Sequence, residues 1–186
     1  MNGEISVAGV MLETNHLILR EFLDVDVQDF FDYASNEEVA KMAGFPVHKS
    51  INESRKVFQY FLNRKNVFAI YHKIDQKVIG SIGIELLRDD DLKNSKLIGR
   101  ELGYVLHKEY WNKGLMTEAV KKVIDYLFVD LNYDFIAACH YKQNIASSKV
   151  QIKCGFKYQK DIYIKKGEII YNSNLNIITK DDFNKR

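Results

Sequence analysis

The sequence predicts an α+β fold: a mixed, mostly antiparallel central sheet flanked by helices. Three observations carry this. Residues 100–131 read as a strand, a Gly-containing turn and a long amphipathic helix, and residues 134–140 read as a buried strand after it. A strand–helix–strand unit of this kind pairs its strands in parallel through a right-handed crossover. Residues 66–106 hold three β-branched and aromatic runs joined by polar turns, a β meander. The chain then closes with two strand-like segments, 156–165 and 168–179, turning at Lys166-Gly167. Helices and strands in this order make a sheet layered with helices.

Composition narrows the class. A chain of 186 residues with 46% apolar content is long enough for one domain with a substantial core. Lys+Arg total 27 and Asp+Glu 25, so the net charge of +2 gives no ground for expecting nucleic acid as a partner. Cys139 and Cys154 show neither metal-ligand spacing nor a disulfide pattern, so we expect no metal and a reducing, cytoplasmic setting. Residues 1–10 lack the basic start and apolar run of a signal peptide. No stretch reaches the roughly 20 apolar residues of a membrane-spanning helix, so no membrane partner is expected. Residues 1–11 read as an N-terminal extension and 12–186 as a single domain. The oligomeric state, monomer or homodimer, is left open.

The elements follow in order. Residues 14–22 alternate Leu17, Leu19 and Phe22 with polar side chains, a first strand. Asp24 or Asp26 is placed to cap a helix with Val27, Phe30, Phe31 and Ala34 on one side. Ser35 with Glu38, and Ser50 with Glu53, stand at capping-box spacing before two further helices. The second of these carries Val57, Phe58, Phe61 and Leu62. In the meander, Ile82, Ile84 and Leu86 alternate with Ser81, Gly83 and Glu85. Asp89-Asp90-Asp91 open a charged loop, since consecutive aspartates point in different directions and do not gather on a metal. The long helix places Met116, Ala119, Val120, Val123, Ile124, Leu127, Phe128 and Leu131 on its inner face. Asn144 caps a helix carrying Ala146, Val150 and Ile152, which stops at Gly155.

Two features carry chemistry. The first is the turn before the long helix. The first backbone N–H groups of a helix have no partner within it and sit at the positive end of its dipole, which suits an anion. Lys108 and Lys113 add charge there. The second is a pair of carboxylates. Alternation places Glu101, Gly103 and Val105 on one face of their strand, and Glu85 shares its face with Ser81 and Gly83 on the preceding strand. Two glutamates flanked by glycines on adjoining strands suggest a small polar cleft. An ordinary strand–turn–helix connection and a buried ion pair account equally well for these features on local grounds.

Four segments resemble the GNAT superfamily of acetyl-CoA-dependent N-acetyltransferases, and its RimJ/RimL-like branch in particular. They are Leu17-Ile18-Leu19-Arg20 with Asp26 and Phe30, Glu101-Leu102-Gly103-Tyr104, the run Tyr110-Trp111-Asn112-Lys113-Gly114-Leu115-Met116-Thr117-Glu118-Ala119, and Asn144-Ile145-Ala146-Ser147 followed by Lys153-Cys154-Gly155-Phe156. The resemblance implies a GNAT-like sheet with a splayed central strand pair. It implies acetyl transfer from acetyl-CoA directly to a primary amine, either a protein N-terminal α-amine or a small-molecule amine, in a ternary complex. It assigns the pyrophosphate to the backbone of Asn112, Lys113, Gly114, Leu115, Met116 and Thr117. It assigns the pantetheine arm to the backbone of Val105 and His107 and to Asn144. Met116 stands where the superfamily usually has a small residue, and its helical phase turns it toward the core. Glu101 becomes the base, Glu85 a contact to the acceptor, and Ser147 the hydrogen-bond donor to the leaving thiolate. Many relatives place a tyrosine acid where this chain has Gln151. Residues 43–50 and 88–96 would wall the acceptor site. The alternative is a non-catalytic acyl-CoA-binding or interaction module of the same fold.

Overall fold

The computed structural model describes residues 5–185. Its eight strands form a mixed, mostly antiparallel sheet with helices packed on it, the α+β class expected. The chain groups into two compact units. Among the described residues, the amino-terminal unit comprises 5–83 and 104–122, and the carboxy-terminal unit 84–103 with 123–185.

In the amino-terminal unit, β1 (Leu12–Glu13), β2 (Leu17–Glu21), β3 (Val67–His72) and β4 (Lys77–Glu85) are neighbours in chain order, each pairing antiparallel with the next as far as β4. The end of β5 (Gly99–Leu106) continues this order, with His107 N–H donating to Ile79 O at 2.7 Å. Helices α1 (Val27–Ala34), α2 (Glu37–Ala43) and α3 (Ile51–Arg64) cover an aromatic core. Phe22 stands edge-on to Phe58 at 5.2 Å, and Phe30 to Tyr33 at the same separation. Phe61 and Leu62 pack against this core as their spacing predicts, whereas Val57 is exposed. Every residue of β4 from Val78 to Ile84 is buried, so the strand is covered on both faces and its small residues serve close packing. At Gly80 an added Cβ would meet Val105 O at 2.3 Å, a separation no side chain tolerates. The expected extension is docked where it is described: Val7 is fully buried and its N–H donates to Lys65 O at 2.7 Å.

Several caps differ from expectation. Asp26 does not cap α1 through its side chain; its carboxylate takes Arg20 at 2.7 and 2.9 Å and the Leu23 N–H at 2.8 Å. Asn36, not Ser35, caps α2 by accepting from the Glu38 and Val39 N–H groups. Ser50 caps α3, and the Glu53 carboxylate reaches back to Lys49 N–H at 2.7 Å. Asp26 is buried and Arg20 is drawn into the pair with it, so removing one charge strands the other. Asp26→Ala is expected to cost about 3 kcal/mol, read as a fall of roughly 10 °C in calorimetric Tm.

The carboxy-terminal unit starts from the beginning of β5. There β5 pairs in parallel with β6 (Phe135–Tyr141), which pairs antiparallel with β8 (Ile169–Thr179), and β7 (Lys157–Lys166) forms the edge. The long helix α5 (Leu115–Asp125) runs into a wider final turn, with Leu131 N–H bonding Tyr126 O. Its inner face is as expected except at Leu131, which is exposed. Three readings need correction. Leu86 is exposed and Leu87 is buried in its place, because β4 ends at Glu85 and the alternation ends with it. The acidic loop contains a short helix, α4 (Asp90–Lys93), capped by Asp89 on the Leu92 N–H. Helix α6 (Ile145–Lys153) turns Gln151 inward, followed by Cys154, while Ala146 and Ile152 are exposed. The chain ends in α7 (Lys180–Asn184). Among the described residues, no helix is long and apolar enough to cross a membrane.

Candidate active site

The amino-terminal unit holds the turn expected to bind an anion. Asn112 at φ 60° and Gly114 at φ 80° are both left-handed and flank Lys113. Alternating backbone hands turn successive N–H groups toward one concavity. Helix α5 makes its first internal bond from Glu118 N–H to Gly114 O at 3.0 Å, so the Leu115 and Met116 amides ahead of it have no acceptor within the helix. Leu115 and Met116 are buried and anchor the turn. The Met116 side chain is turned into the core, as its helical phase predicts. An added Cβ at Gly114 would find nothing within 4 Å, so the space over the turn is open. The residues present fit a diphosphate.

Side chains fix this turn from below. Trp111 donates its indole N–H to Leu106 O at 2.8 Å and packs on the aromatic core. Tyr110 donates its hydroxyl to Asp75, and burial followed by Asp75 pushes its pKa up. Lys113 and Lys77 lie over the Tyr110 ring at 5.1 and 5.7 Å. Lys108, expected beside the anion, is paired with Glu38 instead.

The strand backbone at the end of β5 has a defined orientation. His107 gives its N–H to Ile79 O, and its carbonyl accepts from Tyr110 N–H at 3.0 Å. Val105 O faces Gly80 of β4. Antiparallel alternation then turns the backbone of Val105 and His107 to β4 and that of Tyr104 and Leu106 away from it. The His107 N–H is thus engaged by β4 and its carbonyl by Tyr110, while the backbone of Leu106 faces away from β4.

The carboxy-terminal unit holds the ionisable groups. Glu101 is 2% exposed. Its Oε1 meets Arg88 Nε at 2.5 Å and its Oε2 accepts Arg88 N–H at 3.2 Å. Burial raises its pKa above the ordinary carboxylate value, with Arg88 and a hydrogen bond from Cys139 opposing. The same burial, then Glu101, pushes the Cys139 thiol up, so it is no thiolate nucleophile. From the sequence, Arg88 is the end of a strand and the start of a loop expected to wall the acceptor site, with nothing there to mark it as the partner of Glu101. Glu85 is half-buried at the end of β4.

Ser147 and Asn144 lie on the other side of this unit's sheet. Asn144 caps α6, accepting from Ser147 N–H at 3.0 Å. Gln151 is fully buried; it donates to Ser147 Oγ at 3.4 Å and accepts from Asn176. Asn176 is opposite Ala138 on β6, whereas Glu101 is opposite Ala137. Neighbouring residues of a strand point to opposite faces, so α6 and Glu101 are on opposite faces. Pairing of β5 with β6 ends at Leu102–Ala138, although β6 runs on to Tyr141. Among the described residues, no group of three or more His, Cys, Asp or Glu is placed to hold a metal ion.

Comparison with known proteins identifies the family. Residues 16–157 match the family model described as an acetyltransferase (GNAT) domain. The chain is 29% identical over 177 residues to the N-acetyltransferase YoaA of Bacillus subtilis, covering 91% of this chain and 97% of that one. It is 30% identical over 167 residues to the N-acetyltransferase p20 of Bacillus licheniformis, covering 86% and 90%. Among solved structures, a GNAT-family acetyltransferase from Bacillus anthracis superposes with a TM-score of 0.81 at 20% identity, covering 92% of this chain and 99% of that one. Ribosomal-protein-S5-alanine acetyltransferase from Vibrio fischeri gives 0.71 at 22%, covering 93% and 98%. Spermidine N-acetyltransferase from Vibrio cholerae, solved with CoA and spermine, gives 0.73 at 15%, covering 91% and 99%. The chain belongs to the GNAT acetyltransferase family, whose donor is acetyl-CoA. It is an acetyl-CoA-dependent N-acetyltransferase.

Proposed function

We propose that this enzyme passes the acetyl group directly to a primary amine, a protein N-terminal α-amine or a small-molecule amine, in a ternary complex, as a RimJ/RimL-like member of the family. The observation that carries this is the left-handed, side-chain-anchored turn at Asn112 and Gly114. The backbone of Asn112, Lys113, Gly114, Leu115, Met116 and Thr117 holds the pyrophosphate. Leu106 N–H, in place of Val105 or His107, serves the pantetheine or the thioester carbonyl, and a donor aimed at a developing oxyanion is worth about 3 kcal/mol. The family match takes in parts of both units, which supports reading residues 12–186 as one acyltransferase domain.

Glu101 is the base. An ammonium acceptor must lose a proton before its lone pair can attack the carbonyl carbon. A carboxylate whose pKa is raised by burial is better matched to that task near neutral pH than an ordinary one. Glu85 contacts the acceptor. As the C–S bond breaks, Ser147 gives the departing sulfur its hydrogen bond, held in place by Asn144 and Gln151. The high Cys139 pKa favours direct attack over an acetyl-cysteine route.

Calorimetry with CoA and acetyl-CoA, run beside thiol release with a broad panel of primary amines, tests the whole reading. Tight binding without turnover of any amine would favour a module that only holds acyl-CoA. Ser147→Ala is expected to lower kcat about tenfold with acetyl-CoA affinity preserved, consistent with loss of one charge-assisted hydrogen bond. Unaltered kcat would remove Ser147 from the mechanism.

A further inference from the structure

The hairpin turn between β3 and β4, in the amino-terminal unit, has no part in the transfer as described. It is nonetheless firmly held. Gln76 is left-handed at φ 53°, and its N–H bonds back to His72 O at 2.9 Å. Lys73 N–H donates to His16 O at 3.0 Å, and Lys73 Nζ reaches Glu13 and Thr14 O, each at 2.6 Å. From this turn the Asp75 carboxylate meets Tyr110. The oxygen Oδ2 that accepts the Tyr110 hydroxyl also lies 3.0 Å from His72 Nδ1. The buried Tyr110 ring has His72 edge-on at 5.2 Å and His107 edge-on at 5.8 Å.

Tyr110 stands just ahead of the turn around Gly114, and that turn needs support. Asn112 is not glycine, yet it is left-handed, and such a residue keeps its conformation only where its surroundings impose it. Trp111 is fixed through Leu106, five residues back in the same segment. Tyr110 is fixed through Asp75, thirty-five residues back on a separate hairpin. The second bond ties the turn to a different part of the sheet. On charge alone Asp75 is out of place, because a carboxylate in the neighbourhood of a diphosphate repels it. Its charge is taken up inside the cluster: the Tyr110 hydroxyl first, and His72 after it, hold its pKa below the ordinary carboxylate range.

We propose that Asp75 is a positioning residue for the diphosphate of acetyl-CoA. Through the Tyr110 hydroxyl it holds the amides of Asn112, Lys113 and Gly114 in the geometry that binds. It thereby sets the preference of the enzyme for CoA over the same thiol arm without a diphosphate. This rests on the reading of that turn as the diphosphate site. Amides that already converge lose less freedom when the ligand arrives. Without the tether Asn112 is free to leave the left-handed region, and the amides part. Charge and position then have opposite signs at Asp75. Removing it takes away a negative charge, which favours an anion, and takes away the support, which disfavours one.

The test is calorimetric titration of the full chain with CoA, with pantetheine read by displacement of bound CoA and Tm as the check on folding. Asp75→Ala should weaken CoA binding about tenfold, the effect of losing a hydrogen bond to a charged group, and pantetheine binding by about twofold or less. Tyr110→Phe keeps the ring and the surrounding charges and should show the same split; it decides alone if the alanine variant does not fold. The double variant should lie within about twofold of either single one, since all three cut the same bond. Asp75→Asn still offers the hydroxyl an acceptor and should recover CoA binding to within about threefold of the unmodified protein. CoA affinity unchanged or tighter in Asp75→Ala would overturn the proposal, leaving Asp75 as a charge only. Equal losses for CoA and pantetheine would overturn it too, since the hairpin would then support the fold at large. Losses that add in the double variant would overturn the route through Tyr110. If the unmodified protein held pantetheine as tightly as CoA, the diphosphate reading itself would fall and the proposal with it. With that preference present and the variants indifferent, only the role of Asp75 would fall.

Discussion

Gly114→Asp is expected to weaken acetyl-CoA binding by at least 100-fold, about 2.7 kcal/mol, with the fold retained. Two effects add. The residue sits at φ 80°, where an L side chain is strained by about 1–2 kcal/mol. The larger effect is electrostatic. Nothing lies within 4 Å of the Cβ position, so the new carboxylate enters the space over the turn without displacing protein. There it competes for the same amides and opposes a diphosphate; two like charges about 5 Å apart at an effective dielectric of 20 repel by about 3 kcal/mol. Gly114→Asn separates the two effects, since asparagine tolerates the left-handed region and brings no charge. It should bind within about tenfold of the unmodified protein. Calorimetric titration, with Tm as the check on folding, reads both. Equal affinities for the aspartate and asparagine variants would show that this turn does not face the phosphates.

The parts of this protein that were legible in its sequence are those set by one local rule. Helix α5 buries Val120, Val123, Ile124 and Leu127 because a 3.6-residue period leaves them no other side. The cap at Asn144 and the stop at Gly155 follow from a side-chain acceptor and a left-handed glycine. Where two local solutions compete, tertiary context chose. Asp26 could cap α1, but Arg20 on the neighbouring strand binds both its oxygens. Asn36 rather than Ser35 caps α2, one residue from the expected place. The site shows the same division. The turn around Gly114 announces itself through glycine and helix phase. Arg88, the partner of Glu101, does not, because an ion pair thirteen residues apart is a consequence of strand register. Register also decides that Leu106, not Val105 or His107, turns its backbone away from β4. In the sequence Gln151 shows only as the wrong residue for an acid; its bonds to Ser147 and Asn176 depend on how α6 lies on β8.

Glu101→Gln should lower kcat by about 100-fold or more, the range that a positioned base supplies, while acetyl-CoA affinity stays within about threefold. The rising limb of the pH–rate profile should disappear or move, because the group whose deprotonation creates it is gone. Burial lifts the Glu101 pKa, so in the unmodified enzyme that limb lies above the ordinary carboxylate range. The same shift makes a thermodynamic prediction that a purely structural ion pair does not make for the rate. A carboxyl whose folded pKa is raised stabilises the fold fully below its unfolded value of 4.5, and that contribution is lost as pH climbs through the folded value. The glutamine variant lacks this loss. Its Tm relative to the unmodified protein should therefore rise with pH across that window, while its turnover stays low throughout. Thermal scans and initial rates over the same pH series read the two together. A variant that follows the expected Tm trend yet keeps the original pH–rate profile would mean that Glu101 only neutralises Arg88, and that the proton leaves the amine by another route.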